Sequence, residues 1–99
     1  MSFISIDYDM AYAEANRLRT EANECDNVVS QSQRSVADMG TYWEGAAANE
    51  FLAAQDKWRK EMQSIKAELN SISSLIKMVT DEIREADLRA AEAAKNLLV

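Results

Sequence analysis

Apolar residues recur along this chain in alternating steps of three and four. From Tyr8 the series runs Tyr8, Ala11, Ala15, Leu18, Ala22, Cys25, Val29, Ser32, Val36 and Met39. That period places every member on one stripe of an α-helix, as narrow as a coiled-coil seam. Ala11, Ala15, Ala22, Cys25 and Ser32 are small, so they permit close approach of a second helix while burying little area each. The opposite face carries Glu14, Arg17, Glu21, Asn23, Gln31 and Arg34 and reads as solvated surface.

A second stripe begins with Ala47, Phe51, Ala54 and Trp58. It continues through Met62, Ile65, Leu69, Ile72, Ile76, Val79, Ile83, Ala86, Ala90, Ala93 and Leu97. The step from Trp58 to Met62 is four where three was due, so the supercoil should relax there. Between Met62 and Ile83 the stripe is most strongly apolar, with Leu75 adding a row beside it. Beyond Ile83 it is alanine until Leu97.

Between the stripes lie both glycines, Gly40 and Gly45, and the chain has no proline. Gly40 suits the left-handed position that ends a helix. Thr41 and Glu44 have capping-box spacing, so the second helix starts as early as Tyr42, or after Gly45 if the bend is wider. Gly45 suits a tight turn or a close backbone approach. Trp43 at the bend has two readings: an aromatic plug over the end of the hairpin, or a partly exposed recognition residue. At the other end Asp7 is the expected N-cap, with Ser5 competing. Ile6 and Ala11 would form a hydrophobic staple, and Asp9 suits the positive end of the helix dipole. Residues 1–6 form a short arm. The chain is thus one domain of 99 residues, with helix 1 at about 7–39, the bend at 40–45, helix 2 at about 46–90 and a tail to 99.

Length sets the pairing. Residues 8–39 make a rod of roughly 48 Å at ~1.5 Å per residue. Folding back near residue 43 sets Tyr8 opposite a residue near 77 and leaves everything past about 78 unpartnered within its own hairpin. Two helices cannot enclose a core, because each has a back in water. The expected fold is therefore all-α, an antiparallel helix-turn-helix hairpin that dimerises into a four-helix bundle. Its hairpin and dimer seams draw on Leu18, Cys25, Val29, Val36, Trp58, Met62, Ile65, Leu69, Ile72, Ile76 and Val79. The alanine-rich tail either lies on the partner or frays.

Composition narrows the function. The net charge is -6, which gives no electrostatic footprint for nucleic acid or anionic lipid. There is no His, hence none of the commonest general acid/base or metal ligand. The single Cys25 excludes an intrachain disulfide and a thiolate zinc site. It reads as a small buried hydrophobe, with an intersubunit disulfide or reactive thiol as the alternative. The acidic pairs Asp81-Glu82 and Asp7/Asp9 lack calcium-loop spacing. The carboxylates are spread along solvent faces, with no nucleophile motif or phosphate loop. We expect no enzyme, no metal and no cofactor. No apolar run approaches the ~18 residues of a membrane span, and the start Met-Ser-Phe-Ile-Ser-Ile-Asp has no basic region of a secretory signal.

The central residues read Trp43-x-Gly45-x-Ala47-x-x-x-Phe51. With the length of about 100 residues, the midpoint position and the flanking heptads, the chain resembles the WXG100 family, the ESAT-6-like proteins exported by type VII secretion systems of Gram-positive bacteria. The Ile-Ser-Ile-Asp opening is also similar to family members. The resemblance covers essentially the whole chain. It implies a hairpin that pairs into a four-helix bundle. It implies export from the cytoplasm to the outside without a cleavable signal peptide, driven by a membrane ATPase. It gives Trp43 and Gly45 a part in the export motif, and Ala47 and Phe51 a packing role near the bend. Partners would be a second copy or a paralogous WXG100 protein, together with the secretion ATPase, and a contribution to virulence is compatible with the family. Actinobacterial export tails carry Tyr-x-x-x-Asp/Glu after helix 2. Here tyrosine stands only at 8, 12 and 42, which favours a homodimer of the Firmicutes type. A looser hydrophobic-x-x-x-acid pattern fits Ile83 and Asp87, which otherwise read as core and solvated charge. The rivals are an intracellular coiled-coil adaptor and a membrane-active effector. Stable membrane insertion is not expected, because the outer faces are highly charged.

Overall fold

The computed structural model describes residues 7–98. The arm at 1–6, with its alternative cap Ser5 and the staple residue Ile6, lies outside them, as does Val99. Two helices make up the fold, α1 (Tyr8–Met39) and α2 (Ala46–Leu97). They fold back into an antiparallel rod of 82 × 16 × 16 Å.

α1 starts where its sequence provides a cap. The Asp7 carboxylate accepts from the Met10 amide at 3.1 Å, and Asp9 sits in the first turn. Every member of the α1 stripe is buried or half-buried, and so is Tyr12 beside it. Ala15 and Ala22 are fully enclosed. Cys25 is free and buried, and its thiol points at the Glu21 carbonyl at 3.6 Å.

The bend departs from the expected chemistry. Gly40 is right-handed at φ -60, and among the described residues Gly45 alone has positive φ, at 105. The turn after Met39 stays with α1: Thr41, Tyr42 and Trp43 amides donate back to Asp38 and Met39 carbonyls at 3.1, 3.1 and 2.9 Å. Thr41 Oγ1 donates to the Asp38 carbonyl at 2.7 Å. Thr41 therefore finishes α1 and does not cap α2, so the capping box with Glu44 does not form. α2 begins after Gly45, whose backbone at φ 105, ψ -171 lies in a region essentially reserved for glycine. A Cβ on Gly45 would meet nothing within 4 Å. The glycine answers a conformational demand there, not a close approach.

The hairpin is also longer than fold-back at Trp43 suggests. Tyr8 meets Asp87 and Arg84 rather than a residue near 77. Helix side chains lean towards their own N-terminus. In an antiparallel pair α1 residues therefore reach away from the bend and α2 residues reach back towards it, so pairs meet further along α2. α2 itself continues as helix to Leu97, past the expected end near 90, although residues 84–98 are exposed. Alanine has the best intrinsic helix propensity, which helps sustain the stretch beyond the Tyr8 contacts.

Candidate functional site: the bend and the open side of α2

At the bend, Trp43 is half-buried and its ring packs on Phe51 at 5.5 Å between centroids, tilted 49°. Together with Val36, Met39, Gly40, Ala48 and Leu52 they line a small cleft of about 30 Å³. Trp43 thus closes the end of the hairpin and keeps part of its indole in solvent. The plug and the partial exposure that a recognition role would require coexist in one geometry. Ala48, not Ala47, is the alanine buried here. The first turn of α2 carries no acidic residue and no side-chain cap, so its free amides remain open beside the indole.

α2 divides its expected seam. Trp58, Met62, Leu69, Ile76 and Ile83 are half-buried against α1, whereas Ile65, Ile72 and Val79 are 44%, 47% and 41% exposed. Ser73 and Thr80 are buried in line with them. Ser73 Oγ donates to the Ala15 carbonyl at 2.6 Å, and Thr80 Oγ1 to the Ile76 carbonyl at 2.6 Å. Small hydroxyls that are satisfied locally can occupy a tight interface at little cost. Apolar patterning does not detect them. Their signal is a heptad repeat of Lys66, Ser73 and Thr80, one residue off the apolar line.

The neighbours of those buried residues define two edges. The residue before each, Ile72 and Val79, is apolar and open. The residue after each, Ser74 and Asp81, is polar and reaches α1. Arg19 contacts Ser74 at 3.4 Å, Tyr12 donates to Asp81, and Lys66 bonds Asp26 at 2.6 Å. Further along, Tyr8 donates to Asp87 beneath the Arg84 guanidinium, which lies 6.0 Å from the ring centroid. Of the C-terminal pair, Ile83 is half-buried on the hairpin face and Asp87 accepts this phenol. Nearer the bend, Gln55 donates to Ser32 at 2.6 Å. One edge of the hairpin is thus bridged, and the other presents Ile65, Ile72 and Val79 flanked by Leu75, which is 53% exposed.

Total exposure agrees with an unfinished surface. The chain exposes 7692 Å², against roughly 5,700 Å² for a compact monomer of this mass. Among the described residues, no helix is long and apolar enough to cross a membrane, and no cluster of metal-ligating side chains forms.

No curated protein matches the chain by sequence. Among solved structures it is similar to the secreted protein ESXB from Bacillus anthracis str. Sterne. The two share 22% identity and a TM-score of 0.75 over 88% of this chain and 99% of that one. The profile described as "WXG100: Proteins of 100 residues with WXG" matches residues 4–88, and this span takes in Trp43-x-Gly45, all of α1, α2 as far as Leu88, and the bridged edge. The chain belongs to the WXG100 family, a family of type VII secretion substrates.

Proposed function

We propose that this chain is a secreted substrate or co-secreted factor of a type VII secretion system. It would travel as a pair of hairpins joined through the open edge of α2. Pairing sets the Trp43 bend of one hairpin near the C-terminal part of the other's α2. The secretion ATPase reads that composite patch, in which Ile83 and Asp87 are the candidate tail residues. The observation that carries this reading is the half-exposed indole of Trp43, held on a bend whose φ of 105 at Gly45 only glycine adopts readily. The indole is fixed in place and left available. The secreted character of the similar ESXB structure supports the same reading.

In a type VII-positive host, Trp43→Ala combined with Gly45→Ala should abolish export. The bundle stays folded, because Gly45→Ala costs about 1–3 kcal/mol of local backbone strain and the helices keep their shared face. Export of the double variant at the wild-type level, with helical content intact by circular dichroism, overturns the proposal.

A further inference from the structure

The bridged edge of the hairpin has a gap. Lys66 holds Asp26 on one side of it, and Gln55 holds Ser32 on the other. Between these contacts a cleft of about 290 Å³ opens between the helices. We propose that this cleft binds an acidic side chain, glutamate before aspartate, presented on an extended peptide of a partner protein. The site lies away from the Trp43 bend and from the open edge of α2, and it needs neither export nor pairing.

The position of the gap follows from the sequence. The α2 stripe steps by four from Trp58 to Met62 where three was due, and such an insertion into a heptad series locally unwinds the supercoil. Arg59 and Gln63, each one residue past an end of that step, line the cleft. Further along the edge, Asp81, Ser74 and Lys66 each reach across to α1. One heptad before Lys66 stands Arg59, and it turns along its own helix instead, to Asp56 at 2.9 Å. Its side chain is 30% exposed. Gln33, one heptad past Asp26, lines the α1 wall.

The charges leave Arg59 with capacity to spare. Asp56 is shared, with Arg59 at 2.9 Å and Lys60 at 3.2 Å. Asp26, which also lines the cleft, is taken by Lys66 at 2.6 Å. Three cations thus meet two carboxylates, which leaves one excess positive charge here in a chain of net charge -6. Residues 57–66 contain Lys57, Arg59, Lys60 and Lys66 against the single acid Glu61. A guanidinium is a planar fork of donors whose matched acceptor is a carboxylate, and one bond to Asp56 leaves most of the fork open.

The rest of the lining selects the carrier of that carboxylate. Cys25, Val29 and Met62 give the cleft an apolar floor. The two methylenes of glutamate cover such a floor, whereas a bare inorganic anion leaves it wet. Ser30, Gln33 and Gln63 add hydroxyl and amide groups, the donors and acceptors that pair with peptide backbone. The volume is at the lower limit of about 300 Å³ for a ligand pocket, enough for one side chain and the backbone on either side of it.

The test uses the full, isotope-labelled chain and two capped peptides, Gly-Gly-Glu-Gly-Gly and Gly-Gly-Gln-Gly-Gly, followed by NMR. The glutamate peptide should saturate the side-chain amide signals of Gln33 and Gln63 and the Arg59 Nε–H signal, with a Kd of about 1 mM or tighter. The glutamine peptide should bind at least about tenfold more weakly. Bound glutamate peptide should also slow alkylation of Cys25, the only thiol, by covering the floor. Arg59→Gln should remove binding, and Arg59→Lys should restore only part of it, because it keeps the charge and loses the fork. Gln33→Glu should block the peptide by setting a carboxylate of the chain itself against Arg59. That variant decides the matter even if Arg59→Gln loses helical content by circular dichroism. No saturation at about 10 mM peptide, equal binding of both peptides, or undiminished binding to Gln33→Glu overturns the proposal. Acetate that shifts the same signals as strongly as the glutamate peptide overturns the peptide partner and assigns the cleft to small carboxylates.

Discussion

The two helices dispose of their apolar stripes differently. On α1 the stripe from Tyr8 to Met39 is narrow, built largely of small residues, and wholly taken up by the hairpin. On α2 the stripe is broader and more strongly apolar, and its Trp58, Met62, Leu69, Ile76 and Ile83 face α1, while Ile65, Ile72 and Val79 stay open. On the pairing proposed above, the difference follows from the number of neighbours each helix would have. A helix with one neighbour needs one seam. A helix with two needs two seams side by side, which in sequence look like one wide stripe. The width of an apolar pattern therefore carries information that its period does not.

The largest effect that would test this contrast lies in the enclosed half. Ala22 is fully buried between the helices, so Ala22→Leu has no room and must push them apart. Overfilling a packed site costs about 1–3 kcal/mol, and a thin two-helix interface has little to offset it. The expected result is a fall in the thermal midpoint at every protein concentration. An unchanged melt would mean the helices are not as closely apposed as the enclosure of Ala15 and Ala22 indicates.

The open half should respond in another way. Ile72→Ser removes an exposed side chain, so the melt of dilute, unpaired protein should move by less than about 0.5 kcal/mol. What should be lost is the rise of Tm with protein concentration, the mark of linkage between folding and association. Should Ile72→Ser lower the dilute-limit Tm as much as Ala22→Leu, the division of α2 into two seams is wrong.

The same contrast explains what could be read from the sequence. α1 was legible to its ends because its determinants are local: a carboxylate three residues before the amide it caps, and a repeat with one function. The motif at the bend was legible in composition but not in geometry. Gly40 and Gly45 look alike as letters, yet only Gly45 takes the positive φ, because Thr41, Tyr42 and Trp43 continue to bond back to α1. Thr41 had the right spacing to cap α2 and instead found a carbonyl of α1 nearer. The hairpin face of α2 was the least legible part. Ser73 and Thr80 are buried through hydrogen bonds to carbonyls, one on each helix. A hydropathy pattern assigns such residues to solvent. The reach of Tyr8 to Asp87 was hidden for a different reason: side-chain lean adds to the register that backbone rise alone provides.

The smallest expected effect concerns the bridged edge, and it sets a pH limit on it. Tyr8 and Tyr12 donate their hydroxyls to Asp87 and Asp81, and those hydrogen bonds to carboxylates hold both phenols above the ordinary tyrosine range. Ionisation would turn a donor into a second anion beside each carboxylate. The folded state therefore favours the neutral phenol. A group whose pKa is raised on folding contributes stability that is fully present below its unfolded pKa and is lost as pH rises through the folded value. Here that window lies above the ordinary tyrosine range, on the alkaline side. Both phenols are only half-buried and their carboxylate partners are exposed, so solvent screening keeps the contribution small. An absorbance titration of phenolate should contain a late component, and Tyr8→Phe with Tyr12→Phe should remove it. Hydrogen exchange near Asp81 and Asp87 should rise in the double variant while exchange near Ile72 stays unchanged, since only the bridged edge has lost its contacts. If the late component survives in the double variant, the phenols are not held by these carboxylates, and the bridged edge rests on its other contacts, Lys66 with Asp26, Arg19 with Ser74 and Gln55 with Ser32.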